Sequence, residues 1–170
     1  MQQNQSPGSR GYEKGSLPMI RKATIQDVKS IHGILTHYAS QALLLPHSLS
    51  ELYDHLRDFY VVDNSEVKGG LLGVCGLSIS WEDLGEIKSL AVVKEGQKRG
   101  LGSRLVEACL SEAVELGLSR VFVLTMIKHF FARFGFKEVE KTSLPHKIWA
   151  DCLKCPRFPD CDEIAMILEL

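Results

Sequence analysis

The sequence has no long hydrophobic run and no surplus of charge of either sign. No apolar stretch approaches the ~20 residues that a membrane-crossing helix needs. Lys plus Arg number 20 against 21 Asp plus Glu, whereas a chain that held a nucleic-acid backbone by bulk charge is expected to be basic, so that class is set aside. The first eighteen residues, MQQNQSPGSRGYEKGSLP, contain no apolar core of a secretory signal. They read as a disordered tail (1–18), with 19–170 as one domain. A chain of 170 residues leaves little room for a second core, and it shows neither an internal repeat nor an interdomain linker. Without a signal segment the expected compartment is a reducing cytoplasm, where structural disulfides are rare. What is present is the mix of a well-packed domain: 45% hydrophobic and 24% charged residues.

Periodicity divides the chain into alternating elements. Met19–Ala23 predicts a short strand. Thr24 and Asp27 form a capping-box pattern ahead of a helix with Ile25, Val28, Ile31, Ile34, Leu35 and Tyr38 on one face. Ser48 and Glu51 repeat that pattern before Leu52, Leu56 and Phe59. Strands are predicted over 59–62, 71–81 and 84–93, the last projecting Glu86, Lys88 and Leu90 to one face. A helix over 101–116 ends at Gly117. Arg120–Thr125 (RVFVLT) is apolar enough for burial on both faces. A short helix over 129–134, a strand over 136–140, a helix over 144–155 and a strand over 163–170 complete the order. The alternation predicts an α/β fold of the α+β kind, one mixed sheet of about six to seven strands flanked by helices.

The strongest local signal is Gln97-Lys98-Arg99-Gly100-Leu101-Gly102-Ser103, between a strand and an amphipathic helix. Glycines permit close backbone approach, and a helix N-terminus offers unpaired N–H groups and a positive dipole end, which suits a pyrophosphate. Alone, the string fits a tight turn equally well. It is neither the GK[ST] phosphate loop nor the G-x-G-x-x-G dinucleotide fingerprint.

Taken together, EIKSLAVVKEGQKRGLGSRLVEACL, RVFVLT and HFFARFGF resemble the acetyl-CoA-binding core of the GNAT family of N-acetyltransferases, from about Met19 to Phe136. The resemblance implies acetyl-CoA as cosubstrate, bound between splayed strands. Leu90, Ala91 and Val92 would pair with the pantetheine arm, and Gln97, Lys98, Arg99, Gly100, Leu101, Gly102 and Ser103 would hold the pyrophosphate. GEIKSLAV, FFARFGF and the early ALLLPHSLSELYDHLRDFYVV resemble the short single-domain bacterial N-acetylglutamate synthases within that family, as does the tail LPHKIWADCLKCPRFPDCDEIAM. The activity this implies is acetylation of the α-amine of L-glutamate, the first step of arginine synthesis. The partner is then a small molecule, not nucleic acid or a membrane, and a homodimer is one assembly the family allows. Another amine acceptor, or a non-catalytic acetyl-CoA- or metal-responsive regulator, remain the alternatives.

The chemistry needs a base to take a proton from the attacking ammonium, and Glu86 is the candidate. A backbone N–H near Leu90 or Ala91 would meet the oxyanion. Many family members place a Tyr acid where this chain has Phe131, so either Thr125 or a water donates or the thiolate leaves unassisted. The two carboxylates of glutamate need cations; Lys88, Lys147 and Arg157 are the candidates, with Lys128 and Arg133 weaker ones. Cys75 and Cys109 read as buried free thiols. Cys152, Cys155 and Cys161, with His146, offer a tetrahedral zinc set in a C-terminal insert (144–162), or alternatively a redox pair or free thiols. His32, His37, His47 and His55 read as solvent-facing or helix-end residues.

Overall fold

The computed structural model describes residues 18–170 except 65, 67, 68, 146–148, 156 and 158. The tail, His146 and Lys147 therefore lie outside the described residues, apart from Pro18.

Seven strands form one sheet in the order β1-β2-β3-β4-β5-β7-β6. They are β1 (Ile20–Lys22), β2 (Phe59–Asp63), β3 (Leu71–Trp81), β4 (Leu84–Val92), β5 (Arg120–Thr125), β6 (Lys137–Val139) and β7 (Ile164–Glu169). Every pairing is antiparallel except β4 with β5. The helices are α1 (Val28–Ser40), α2 (Leu49–Asp54), α3 (Leu101–Glu115), α4 (Lys128–Ala132) and α5 (Trp149–Lys154). Among the described residues no helix is long and apolar enough to cross a membrane.

Both capping boxes form. The Asp27 carboxylate reaches back to the Thr24 N–H at 2.7 Å, and the Ser48 N–H meets Glu51 Oε2 at 2.8 Å. The first box opens a 3-10 turn (Ile25–Asp27) before α1 begins. Asp27 is 4% exposed because Arg21 forks onto it at 2.7 and 2.9 Å while also meeting Asp63. This ties β1, β2 and the start of α1 together.

Helix α3 buries Leu101, Leu105, Val106, Cys109 and Ala113, one stripe at helical spacing. The stripe packs on Cys75, Leu77, Ile87, Val121 and Val123 of the sheet. Each Leu, Val or Ile among them contributes about 1.5–3 kcal/mol of burial. The other sheet face carries α1 and α2 over Phe59, Val61, Val74 and Ala91. Further along that face Leu144 covers Leu84, Phe122 and Ala165. Cys75 and Cys109 are fully buried free thiols, as expected.

One predicted helix is shorter than its pattern. In place of a helix over 144–155 there is a 3-10 turn (Lys141–Ser143), extended backbone at Leu144, and α5. Pro145 explains the break: its ring disfavours helical geometry at the residue before it.

Candidate functional site

Strands β4 and β5 are paired only through Leu84–Arg120, Gly85–Val121 and Glu86–Phe122. Beyond Glu86 they part. The cause lies on the opposite edge of β4, where Val74 faces Ala91 but Gly76 faces Lys88. Two residues of β4, Ser89 and Leu90, therefore oppose one of β3, Cys75. This is a β-bulge, which bends its strand and sharpens its twist. Ser89 adopts φ 55°, a left-handed conformation that few side-chain-bearing residues take.

The bulge also corrects an expected alternation. Leu90 does not share a face with Glu86 and Lys88; it packs with Ile87 on the α3 side, while Ala91 packs on the α1 side. One inserted residue reverses every side chain after it.

The parted strands open a gap of about 430 Å³, lined by Leu90, Ala91, Val92, Val123, Thr125 and Phe130 among others. At one end stand Gln97 and Gly102. Gly100 caps α3 in the left-handed region, φ 73°, and Lys98 is left-handed as well, φ 59°. Leu101, Gly102 and Ser103 form the first turn of α3, whose N–H groups have no intrahelical acceptor. Lys98 and Arg99 are exposed beside them. A Cβ on Gly102 would meet Phe130 and Val92 only at ordinary contact distance, 3.7–3.8 Å. Its missing side chain thus leaves room in the gap and relieves no clash within the protein. Apolar walls, the free edge of β4, unpaired N–H groups and two cations suit a thioester arm ending in phosphates.

Tyr38 is a lining residue that its sequence pattern hid, since its place on the apolar face of α1 accounts for it fully. Its hydroxyl donates to the Val92 carbonyl at 2.6 Å, and Gln97 Nε2 donates to the same carbonyl at 3.1 Å and to the Tyr38 oxygen at 3.2 Å. Thr125 is buried, with Oγ1 accepting from the Ile127 N–H at 3.0 Å. Phe131 is 2% exposed, edge-on to Phe130 and Phe136, with no hydroxyl to offer.

A second cavity, about 600 Å³, lies on the α2 side of β4. The loop before α2, residues 44–47, forms one wall; Glu86 and Lys88 rise from its floor; Cys152, Cys155, Cys161 and Glu163 close the far side. The two cavities share Leu44, Ile87, Lys88, Ser89, Leu124 and Glu163. Lys88 and Glu86 thus do share a face. Lys88 Nζ stands 3.7 Å from Asp58 Oδ2, and His55 Nδ1 is equally distant from that oxygen.

His47 departs from the solvent-facing expectation. It is half-buried in this wall, its Nε2 bonded to Ser89 Oγ at 2.9 Å and its ring edge-on to Phe59. No local pattern marks this pair, since 42 positions separate the two residues. Arg157 lies outside the described lining, facing Asp162 at 3.6 Å and the Met126 sulfur. Lys128 pairs with Glu138, and Arg133 lies over the Phe130 ring.

Of the expected zinc set, His146 lies outside the described residues and only the three cysteines can be placed. Among the described residues no group of three or more His, Cys, Asp or Glu side chains is placed to hold a metal ion. Cys152 and Cys155 ride one turn at the end of α5, while Cys161 turns to Glu163, its Sγ 3.7 Å from Oε2. The spacing that suggested a ligand set instead places three thiols along a cavity wall.

A mixed sheet opened beside a bulged strand, with a glycine loop and a helix N-terminus at the opening, is the frame of an enzyme that moves an acyl group from a coenzyme A thioester. The chain belongs to the acetyltransferase (GNAT) family, whose sequence pattern matches residues 29–136. It is 41% identical over 151 residues to an uncharacterized N-acetyltransferase of Chlorobaculum tepidum, covering 89% of this chain and 96% of that one. It is 36% identical over 132 residues to the amino-acid acetyltransferase of Mycobacterium tuberculosis, covering 78% and 75%. Among solved structures, a Mycobacterium tuberculosis protein in complex with CoA and NLQ superposes with TM-score 0.76 at 32% identity, over 90% of this chain and 99% of that one. N-acetylglutamate synthase of Neisseria gonorrhoeae, complexed with coenzyme A and N-acetyl-glutamate, superposes with TM-score 0.80 at 28% identity, over 92% of this chain but 36% of the longer one. The protein is an acetyl-CoA-dependent acetyltransferase of the GNAT type.

Proposed function

We propose that the protein transfers the acetyl group of acetyl-CoA to the α-amine of L-glutamate, forming N-acetyl-L-glutamate, the first step of arginine synthesis, by direct attack in a ternary complex. The observation that carries this reading is the shared wall: a thioester-shaped gap and a polar cavity meet at the segment Ile87–Ser89. An amine in the larger cavity and a thioester in the gap would react across that wall. The amino-acid acetyltransferase named among the relatives supports the acceptor class.

Glu86, on the cavity floor, takes the proton of the ammonium, directly or through a water, because only the free amine has a lone pair. The amine then attacks the thioester carbonyl. The developing oxyanion meets a backbone N–H near Leu90 or Ala91, on the edge of β4 that has no strand partner beyond Glu86. The carbon–sulfur bond breaks and coenzyme A leaves as a thiolate, protonated by water or by Thr125, since Phe131 has no proton to give. Lys88, on the cavity floor, supplies positive charge for the substrate carboxylates together with Lys147 of the C-terminal insert, and Arg157 joins them only by leaving Asp162. Gln97–Ser103 receives the pyrophosphate.

Another amine as acceptor is favoured by one observation: Lys88 is already engaged by Asp58, and Glu163 adds a further carboxylate to the same wall. A screen of amino acids, polyamines and peptide N-termini with acetyl-CoA, following coenzyme A release, decides between the two. Turnover led by glutamate supports the first reading; turnover led by an amine without a second carboxylate overturns it.

A further inference from the structure

Three thiols on the wall of the larger cavity have no part in the chemistry above. Cys152, Cys155 and Cys161 all line it, all are half-buried, and all are free. The Cys155 N–H donates to the Cys152 carbonyl at 3.1 Å, so one tight turn carries both thiols. Cys161 arrives from the strand side of the tail, its Sγ 3.7 Å from Glu163 Oε2. Glu163 lines both cavities, so this thiol–carboxylate contact touches the junction where donor and acceptor would meet. Cys75 and Cys109 are different, sealed in the core with no exposure.

We propose that Cys152, Cys155 and Cys161 form an oxidation site, at which a hydroperoxide joins two of the three thiols into a disulfide that reshapes the larger cavity and suppresses amine acetylation while the acetyl-CoA gap stays intact. The functional half of this inference rests on the larger cavity being the acceptor site. A thiolate attacks the peroxide; the O–O bond breaks, a sulfenic acid forms and water leaves. A second thiol attacks the sulfenic sulfur, the S–S bond forms and a second water leaves. Two thiols are oxidised by two electrons in all, and hydrogen peroxide is reduced to two waters. The open cavity admits the small oxidant. Burial, with Cys161 close by, holds the Cys152 thiol above its usual range, so it suits the second, resolving role better than the first attack. Once Cys161 is oxidised, Glu163 loses its S–H donor; a bond from Cys161 to either other thiol also pins the tail across the cavity.

The full chain is treated with hydrogen peroxide, free thiols are blocked, and disulfides are mapped by peptide mass spectrometry. Acetyl-CoA affinity is titrated alongside, and amine turnover is measured before treatment, after it, and after dithiothreitol. The expected result is a disulfide within the three-cysteine set, a fall in kcat/KM for the amine of about tenfold or more, an acetyl-CoA Kd changed by less than about twofold, and recovery on reduction. In the Cys152→Ser/Cys155→Ser/Cys161→Ser variant, which leaves no pair to join, the ratio of treated to untreated activity rises to about one, while each single serine variant forms only the one bond still open to it. The proposal is overturned if no bond forms among these cysteines, if one forms and amine turnover is unchanged, or if the triple serine variant is inhibited as strongly as the parent. If the reduced protein acetylates no amine, the acceptor reading fails, and the disulfide map alone decides whether the oxidation site exists.

Discussion

Two glycines on one helix allow the phosphate loop to be tested against its own control. Gly100 precedes α3 and Gly117 follows it; their φ values are 73° and 79°. A Cβ built at either meets nothing within 4 Å. Alanine at either position therefore carries the same penalty, left-handed backbone for a side-chain-bearing residue, about 1–2 kcal/mol. The loss of unfolded-chain freedom offsets some ~0.4–1 kcal/mol of it. The net destabilisation is about 1 kcal/mol for each variant, a fall in Tm of about 2–4 °C for a domain of this size. The ends of α3 are separated by roughly 22 Å, at 1.5 Å per residue, so only Gly100 adjoins the gap. If the loop amides bind pyrophosphate, the added methyl of Gly100→Ala also crowds the approaching phosphate and weakens a charge-assisted hydrogen bond, about 1.5–3 kcal/mol, or about 10–100-fold in acetyl-CoA affinity. Gly117→Ala leaves affinity unchanged. Thermal melting by circular dichroism and calorimetric titration with acetyl-CoA measure both quantities. Equal affinities in the two variants would refute the assignment, since strain alone would then account for everything observed.

Glu86→Gln preserves shape and removes the base; kcat should fall by about 10²–10⁴ with acetyl-CoA affinity retained, and an undiminished rate in single-turnover measurements would exclude Glu86 as proton acceptor. His47→Ala removes the 2.9 Å bond to Ser89. It should raise the KM for the amine by about 3–10-fold, the worth of one neutral hydrogen bond, and an unchanged KM would show that the bulge holds Ser89 without help. Asp27→Asn should destabilise the fold at pH 7 by about 2–4 kcal/mol, below the full cost of breaking a buried pair because Arg21 keeps Asp63 and is partly exposed. Arg21 holds the Asp27 carboxyl below the usual 3.8. Its stabilisation is therefore complete above the unfolded value and fades as pH falls through the lower folded value, so denaturant melts of parent and variant should converge in acid. A difference independent of pH would assign the effect to packing instead.

The local devices of the fold were legible in the sequence because they are encoded over three or four residues. Thr24 with Asp27 and Ser48 with Glu51 cap where their spacing says they should, since each carboxylate reaches an amide one turn away. Gly100 and Gly117 bracket α3, and the apolar run of β5 is buried as its composition requires. The helix expected over 144–155 starts late because Pro145 disfavours helical geometry at Leu144, which is extended.

The order of the elements, the glycine loop ahead of α3 and the placement of Glu86 and Lys88 on one strand face follow from local pattern in the sequence. Tertiary structure alone decided how those parts become a site. The bulge at Ser89–Leu90 exists only against Cys75 of the neighbouring strand, and it both sets Leu90 apart from Lys88 and opens the gap. Tyr38 reaches Val92 across 54 positions and His47 reaches Ser89 across 42. The thiols whose spacing suggested zinc became a cavity wall when the tail folded onto the sheet. A short-range pattern specifies which conformation a segment takes; which distant side chains it then meets depends on pairing register and packing, and no local spacing records these.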